Sequence, residues 1–514
     1  MSVFNPRKIF NSKINITKKT NILWIFKLTQ NKSEILLIGD IRKLLTSEFK
    51  SYFKNVKKEE HIKSQYIYPD NYFANIFVSN FYSFLDKDID SQKKFLIEIN
   101  RLLKISGYLF VTFDRKGIFN YLFCLFRNCF RPDLKISKTI TLFETHGFRK
   151  INLWRCFPNV VNCKLALHGG ESNIVNAARF VFEKIIFKKV SFLAKFLMYF
   201  LRISLLLTFF AKNLQSMVLV FSKNGNKDNE IIKKIELIEY IATQDDLAFA
   251  ANISNRRLSI FEFSEVGQFS KKYSIALNDQ SQDKINKVTF LMELIQKKSS
   301  YLMRYFANHY MFSDNGIIEV VDPVNGNKLN ITSKEDCEAL LNLIIELSAT
   351  NFTDEEVLSN GVSLTNKKIL LDLSIELGFD ISNILQNNNI VHGDMVPDNI
   401  FYDKNSRSIK LIDLEHVFFA PAVFNWFDFL IRGLLFSNNR IPISTVKFNK
   451  FINEYKNGIY YDLHCLGKNL FKKLNIPLSN YFSIFYIYID YLTKDKILVD
   501  KESCMQELKK KWMV

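Results

Sequence analysis

The sequence predicts an α/β domain followed by an α+β unit of two lobes. Three observations predict it. Short apolar runs alternate with amphipathic helical stretches over residues 30–225, a polar break follows, and strand-like runs beyond it give way to helical ones. At 514 residues the chain exceeds what one hydrophobic core usually serves. The expected boundaries are an extension at 1–29, the α/β domain at 30–225, a linker at 226–234, a strand-rich lobe at 235–325 and a helical lobe at 326–514.

Each element has a local reason. ILLI (35–38) is a short apolar run that Gly39 and Asp40 close before a helical stretch. ANIFVSNF (74–81) is a second strand. SQKKFLIEINRLLKI (91–105) sets Phe95, Ile99, Leu102 and Leu103 near one helical face, and Ser106-Gly107 separates it from the strand YLFVTF (108–113). Gly147 suits the end of a helix before the strand INLW (151–154), and QSMVLVFSK (215–223) is the next strand. The alternation implies a mostly parallel sheet. After the polar run SKNGNKDNE (222–230), the strands are 256–263, 267–277 and 316–322, and the helices are 285–298 and 333–349.

The tract 182–212 is apolar and basic at once. Lys188, Lys189, Lys195 and Arg202 interrupt any run long enough to span a bilayer, so packing helices or a peripheral membrane helix are the expected alternatives. The net charge of +18 favours anionic partners: acidic lipid headgroups, nucleic acid or a phosphorylated substrate. Basic residues are dispersed and no recognition-helix or zinc motif accompanies them, which argues against nucleic acid. Seven cysteines without metal-ligand spacing, and no secretion signal, lead us to expect reduced thiols in a cytoplasmic protein, with peripheral contact to the inner membrane as an option.

The densest chemical signal runs from Ile390 to Tyr402, IVHGDMVPDNIFY, and continues as IKLIDLE from Ile409 to Glu415. Two β runs flank the turn at 403–408, which puts Asn399 and Asp413 at opposite ends of a hairpin, with Asp394 in the loop before it. Two carboxylates and a carboxamide would then converge. Transfer of a γ-phosphoryl group needs a carboxylate to accept the hydroxyl proton and hard oxygen ligands for Mg²⁺. Asp394 suits the first role; Asn399 and Asp413 suit the second.

These motifs resemble the aminoglycoside phosphotransferase-like branch of the protein-kinase-like fold over about 235–500. The resemblance implies ATP and Mg²⁺ as cofactors, Asp394 as catalytic base, Asn399 and Asp413 as metal ligands, and His392 as the loop's structural histidine. Glu415 falls at an acidic position after the metal-binding aspartate. The segment Pro421, Asn425, Trp426, Asp428 resembles one whose aspartate buttresses the catalytic loop. The implied phosphate-contacting lysine is Lys271 or Lys272; neighbours on a strand face opposite ways, and Lys272 is preferred. Its glutamate partner would come from the next helix, where Glu293 is the candidate. The phosphate-covering turn at 252–257 is glycine-poor. The acceptor implied is a hydroxyl of a small molecule or glycan, acidic or lipid-linked to suit the charge. An inactive scaffold in surface-glycan assembly is the alternative.

The front region, through ILLIGD, Ser106-Gly107 and Gly147-Phe148, resembles a class I S-adenosylmethionine-dependent methyltransferase of Rossmann-like fold. The combination resembles bacterial proteins with a methyltransferase-like front and a phosphotransferase-like back. Gly39 and Asp40 are the cofactor candidates, but the turn has one glycine, and where an acidic residue should close the fold's second strand the chain supplies only Lys57-Lys58-Glu59-Glu60. A sheet that binds no S-adenosylmethionine is therefore the other expectation.

Overall fold

The computed structural model describes residues 23–28, 32–39, 47–61, 63–79, 81, 88–114, 132–157, 163, 165–169, 216–223, 237, 240, 241, 244, 247–253, 257–264, 268–311, 318–359, 371, 372, 374, 375, 382–436, 442–491 and 497–512. The expected linker at 226–234, the basic tract at 182–212 and Asp40 lie outside them. Among the described residues, no helix is long and apolar enough to cross a membrane.

The chain divides into two compact units, Met1–Gln282 with Met311–Val320, and Asp283–Tyr310 with Val321–Val514. In chain order the strands are β1 (Ile35–Ile38), β2 (Val56–Glu59), β3 (Phe73–Val78), β4 (Leu103–Asp114), β5 (Phe148–Phe157), β6 (Leu165–His168), β7 (Ser216–Lys223), β8 (Ala248–Ile253), β9 (Arg257–Phe263), β10 (Phe269–Ala276), β11 (His309–Met311), β12 (Ile318–Val321), β13 (Asn327–Lys328), β14 (Asn389–Val391), β15 (Ile400–Asp403), β16 (Ser408–Leu411) and β17 (Phe418–Ala420).

In the first unit one mixed sheet runs β12-β10-β9-β8-β6-β5-β7-β4-β3-β1-β2. The stretch β2-β1-β3-β4 is parallel. Strand β7 then enters antiparallel between β4 and β5, and β6 pairs antiparallel with β8. The sheet thus passes without a break across the position where the sequence suggested a domain boundary. Three of its strands escaped the sequence reading. β2, Val-Lys-Lys-Glu, is short and half exposed; β6 is Leu-Ala-Leu-His; and β8, Ala-Phe-Ala-Ala-Asn-Ile, is rich in alanine, which strands disfavour. Within the supposed extension, Trp24, Ile25, Phe26 and Leu28 are fully buried. Trp24 meets Trp154 edge-on at 5.8 Å, and Phe26 packs on Phe110 at 4.6 Å.

Helix α1 (Ile89–Leu102) buries Phe95, Leu96, Ile99 and Leu102 and is capped by Asp88, whose carboxylate accepts from Ser91 N. Helix α2 (Asp279–Lys298) starts six residues before the expected 285. Its first turns are polar and carry no apolar period, so only the cap reveals them: Asn278 Oδ1 accepts from Ser281 N at 3.0 Å.

The second unit is mainly helical, with α3 (Lys334–Ser348), α4 (Phe424–Asp428), α5 (Thr445–Asn457), α6 (Tyr461–Lys473), α7 (Tyr481–Tyr491) and α8 (Lys501–Trp512). Ser333 caps α3 by accepting from Asp336 N. Two small antiparallel sheets, β13-β15-β16 and β14-β17, flank the motif loop. β15 and β16 form the expected hairpin, Ile400 opposite Leu411, and β14 pairs with β17. Both rest on one apolar core that includes Ile390, Val391, Met395, Leu411, Leu414, Trp426 and Phe427.

Candidate active site

Strand β14 delivers the chain into the loop His392–Asn399. Gly393 is required here: its φ is +74°, and a Cβ would lie 2.3 Å from the His416 carbonyl oxygen. His392 is buried and bridges two segments. Its Nε2 is 2.8 Å from the Ile412 carbonyl oxygen, which only accepts, so Nε2 carries the proton and Nδ1 accepts the Asp394 N–H at 3.3 Å. Burial lowers its pKa, which keeps the ring neutral as this pattern needs.

The loop is pinned from below by α4. Asn425 Oδ1 accepts from His392 N at 2.9 Å while its amide donates to the Ile390 carbonyl at 2.8 Å. Asp428 Oδ2 accepts from Met395 N at 2.7 Å, and its other oxygen accepts from Arg432 Nε at 2.7 Å and from the Tyr488 hydroxyl at 2.6 Å. This buried carboxylate is therefore both ion-paired and hydrogen-bonded, the condition under which burying a charge is tolerable. The expected buttress is present.

Asp394 is half-buried. Desolvation raises its proton affinity, and the positive charge of Arg432 works against that rise. Asn399 donates through Nδ2 to both the carbonyl oxygen of Asp394, at 3.0 Å, and its carboxylate, at 3.1 Å. Both partners are acceptors, so the amide orientation is fixed and Oδ1 points elsewhere. Hydrogen bonds from Val396 N to Asp394 O and from Asn399 N to Val396 O complete the turn.

Ile412 N donates to Asn399 O at 3.0 Å, so the hairpin's open end brings Asn399 and Asp413 to the same place. Asp413 is exposed and adopts left-handed backbone angles, φ 62° and ψ 60°, a strained conformation for a residue with a Cβ. Such an outlier at a predicted ligand position suits a functional constraint. A carboxamide oxygen and a carboxylate are hard donors of the kind Mg²⁺ accepts, with waters and phosphate oxygens filling the rest of its shell. Among the described residues there is no cluster of three or more His, Cys, Asp or Glu side chains suited to a metal. Glu415, two residues on, is ion-paired to Lys284 at 3.2 Å.

The remaining expected residues lie on other elements. On β10, Lys271 stands opposite Glu262 and Lys272 opposite Phe261. Lys271 alternates with Tyr273 and Ile275, which face the apolar core; Lys272 alternates with Ser274 on the other face. Buried Glu262 accepts from Tyr273 and Ser270 hydroxyls at 2.6 and 2.5 Å, and from Tyr240 at 3.1 Å. Glu293 is exposed on α2, off the buried stripe Val288, Leu291, Met292 and Ile295, a poor position for a lysine partner inside a site. Gly39 ends β1 with φ +99°, its N–H donating to Glu59 O at 2.8 Å, and a Cβ there would press on Ser79 O at 3.1 Å. Glu59, from the run Lys57-Lys58-Glu59-Glu60, ends β2 and binds Lys63 Nζ at 2.7 Å and the Tyr68 hydroxyl at 3.1 Å. Arg432 and Tyr488 were missed. The Asp-Arg spacing of four residues was a usable signal for the first; Tyr488, sixty residues from Asp428, had none.

No family model matches the sequence, and no curated protein matches it either. Solved phosphotransferases are similar over about half of the chain. APH(2″)-IIIa, solved with GDP and kanamycin, is 18% identical, with 50% of this chain and 91% of that one covered and a TM-score of 0.26. The choline kinase LicA from Streptococcus pneumoniae is 14% identical over 50% and 90%, TM-score 0.26. An ethanolamine kinase from Plasmodium vivax is 14% identical over 56% and 95%, TM-score 0.30.

Proposed function

We propose that the chain is a phosphotransferase that moves the γ-phosphoryl group of ATP to a hydroxyl of a small molecule or glycan. The observation that carries the reading is the half-buried Asp394, held by Asn399 and by a loop pinned to Asp428, beside the left-handed Asp413. In the reaction the acceptor oxygen attacks the γ-phosphorus, its proton passes to a carboxylate oxygen of Asp394, and the bond to the bridging oxygen breaks to release ADP. Burial makes Asp394 a better base than an exposed aspartate, and the Asn399 bond orients it. Asn399 Oδ1 and Asp413 would hold Mg²⁺, which when bound neutralises charge on the phosphates. The surplus of basic residues supports an acidic or lipid-linked acceptor. Incubating the protein with ATP, Mg²⁺ and a panel of free and lipid-linked sugars tests this; phosphorylated product from wild type and none from Asp394→Ala supports it, and no turnover with any acceptor tells against it.

The exposure of Glu293 favours a second reading, a scaffold that binds nucleotide weakly or not at all. A thermal shift of wild type by Mg·ATP, absent from an Asp394/Asp413 double alanine variant, argues against it. For the first unit, the parallel strands with Gly39, Glu59 and Ser79 at their carboxyl ends support a methyltransferase-like crevice. Stabilisation by S-adenosylmethionine that Glu59→Ala removes is the outcome expected of it. Peripheral membrane contact through 182–212 stays a proposal, which flotation with anionic liposomes at low salt tests.

A further inference from the structure

Helix α2 carries a lysine where its inner face meets Glu415, and a second one turn further along. Its buried stripe, Val288, Leu291, Met292 and Ile295, joins the core that holds Leu411 and Leu414. One turn toward the N-terminus the same stripe meets Lys284, four residues before Val288, and Lys287, four before Leu291. Lys284 Nζ lies 3.2 Å from Glu415 Oε2, two residues past Asp413, and both side chains are mostly buried, at 35% and 19% exposure. Lys287 is half-buried one turn along. Burial and the charge of Lys284 both weaken its hold on its proton, and no carboxylate among the described residues offsets them. Lys284 thus stands beside the segment that carries Asp413, and Lys287 follows it one turn along the same helix face with no ion pair among the described residues. That is the chemistry of a polyanion receptor.

We propose that Lys284 and Lys287 bind the nucleotide's phosphates, so that helix α2 supplies the cations expected of a strand lysine. The inference rests on the phosphotransferase reading above. A bound triphosphate supplies the counter-charge that Lys287 lacks and draws Lys284 away from Glu415, whose carboxylate is then released beside Asp413. Glu293 takes no part: nine residues from Lys284, it lies half a turn around the helix, on the exposed side.

Calorimetric titration of the full chain with Mg·ATP, adenosine and inorganic tripolyphosphate tests this. The variants are Lys284→Met and Lys287→Met, which keep the aliphatic stems, and Lys287→Arg, which keeps the charge. Loss of a charge-assisted phosphate contact should weaken ATP and tripolyphosphate binding about ten- to a hundredfold in each methionine variant. Adenosine affinity should not change, and Lys287→Arg should retain most of the binding. A thermal midpoint near that of wild type establishes that each variant folds; should one fail, protection of Lys287 from amine acylation by tripolyphosphate in wild type replaces it. Methionine variants that bind ATP as wild type does, or acylation of Lys287 unaffected by tripolyphosphate, overturn the inference and leave the phosphotransferase reading intact. Lysine-dependent binding of tripolyphosphate without ATP binding upholds the anion site and overturns that reading. A wild type that binds neither overturns both.

Discussion

Asp394 combines two properties that a base needs: a raised proton affinity and a fixed orientation. Its loss in Asp394→Ala should cost about 10²- to 10⁴-fold in turnover while nucleotide affinity changes little, since the base serves the hydroxyl and not the phosphates. The same residue should weaken the fold. Because the folded protein holds this proton more tightly than the unfolded chain, stability is greatest below the ordinary carboxylate value and is lost as pH rises through the raised one. Asp394→Asn should therefore be more stable than wild type at neutral pH, and the gain should vanish in acid; denaturant titrations at several pH values read this directly. Asp394, Asn399 and Asp413 were legible because one contiguous stretch carries them. Lys284 and the phenol of Tyr488 were not, since only the packing of distant segments brings them to Glu415 and Asp428.

Among the elements, α6 shows how tightly the second unit is built. Gly467 lies mid-helix, where glycine is costly, because a Cβ would sit 2.3 Å from the Tyr481 hydroxyl and 2.6 Å from Trp426 Nε1. Trp426 Nε1 donates to Tyr481 and Tyr455 oxygens at 3.1 and 3.3 Å. Gly467→Ala should accordingly destabilise by about 1–3 kcal/mol through overpacking, despite alanine's better helix propensity, as thermal denaturation will show. One turn earlier, His464 packs against Tyr455 at 5.1 Å and Tyr481 at 5.6 Å, and burial pushes its pKa down to about 4. The folded state rejects a proton that the unfolded chain accepts, so this stability is complete above about 6.5 and is lost as pH falls toward 4. His464→Phe should flatten that decline in a pH series of unfolding curves. A strong apolar period made α3 readable over 333–349, whereas α6 was anticipated only as part of a helical lobe. The early start of α2 and the strands β2, β6 and β8 were hidden for the opposite reason: polar turns, lysines and alanines carry no such period.

At the scale of the whole molecule, strand pairing joins segments that are distant in the sequence. A polar run near residue 226 reads as a linker, yet antiparallel pairing of β6 with β8 unites the residues before and after it in one sheet. Pairing between strands some eighty residues apart leaves no local trace, which is why composition misplaced the boundary. The account's central claim is that the second unit's loop and hairpin make a Mg²⁺-dependent nucleotide site. Calorimetric titration of the intact chain with ATP, with and without Mg²⁺, tests it most directly. Binding that Mg²⁺ strengthens is expected in wild type and in Asp394→Ala, with the Mg²⁺ dependence lost in Asp413→Ala. A wild type that binds no ATP, or binds it equally well with Asp413 removed and Mg²⁺ absent, would contradict it.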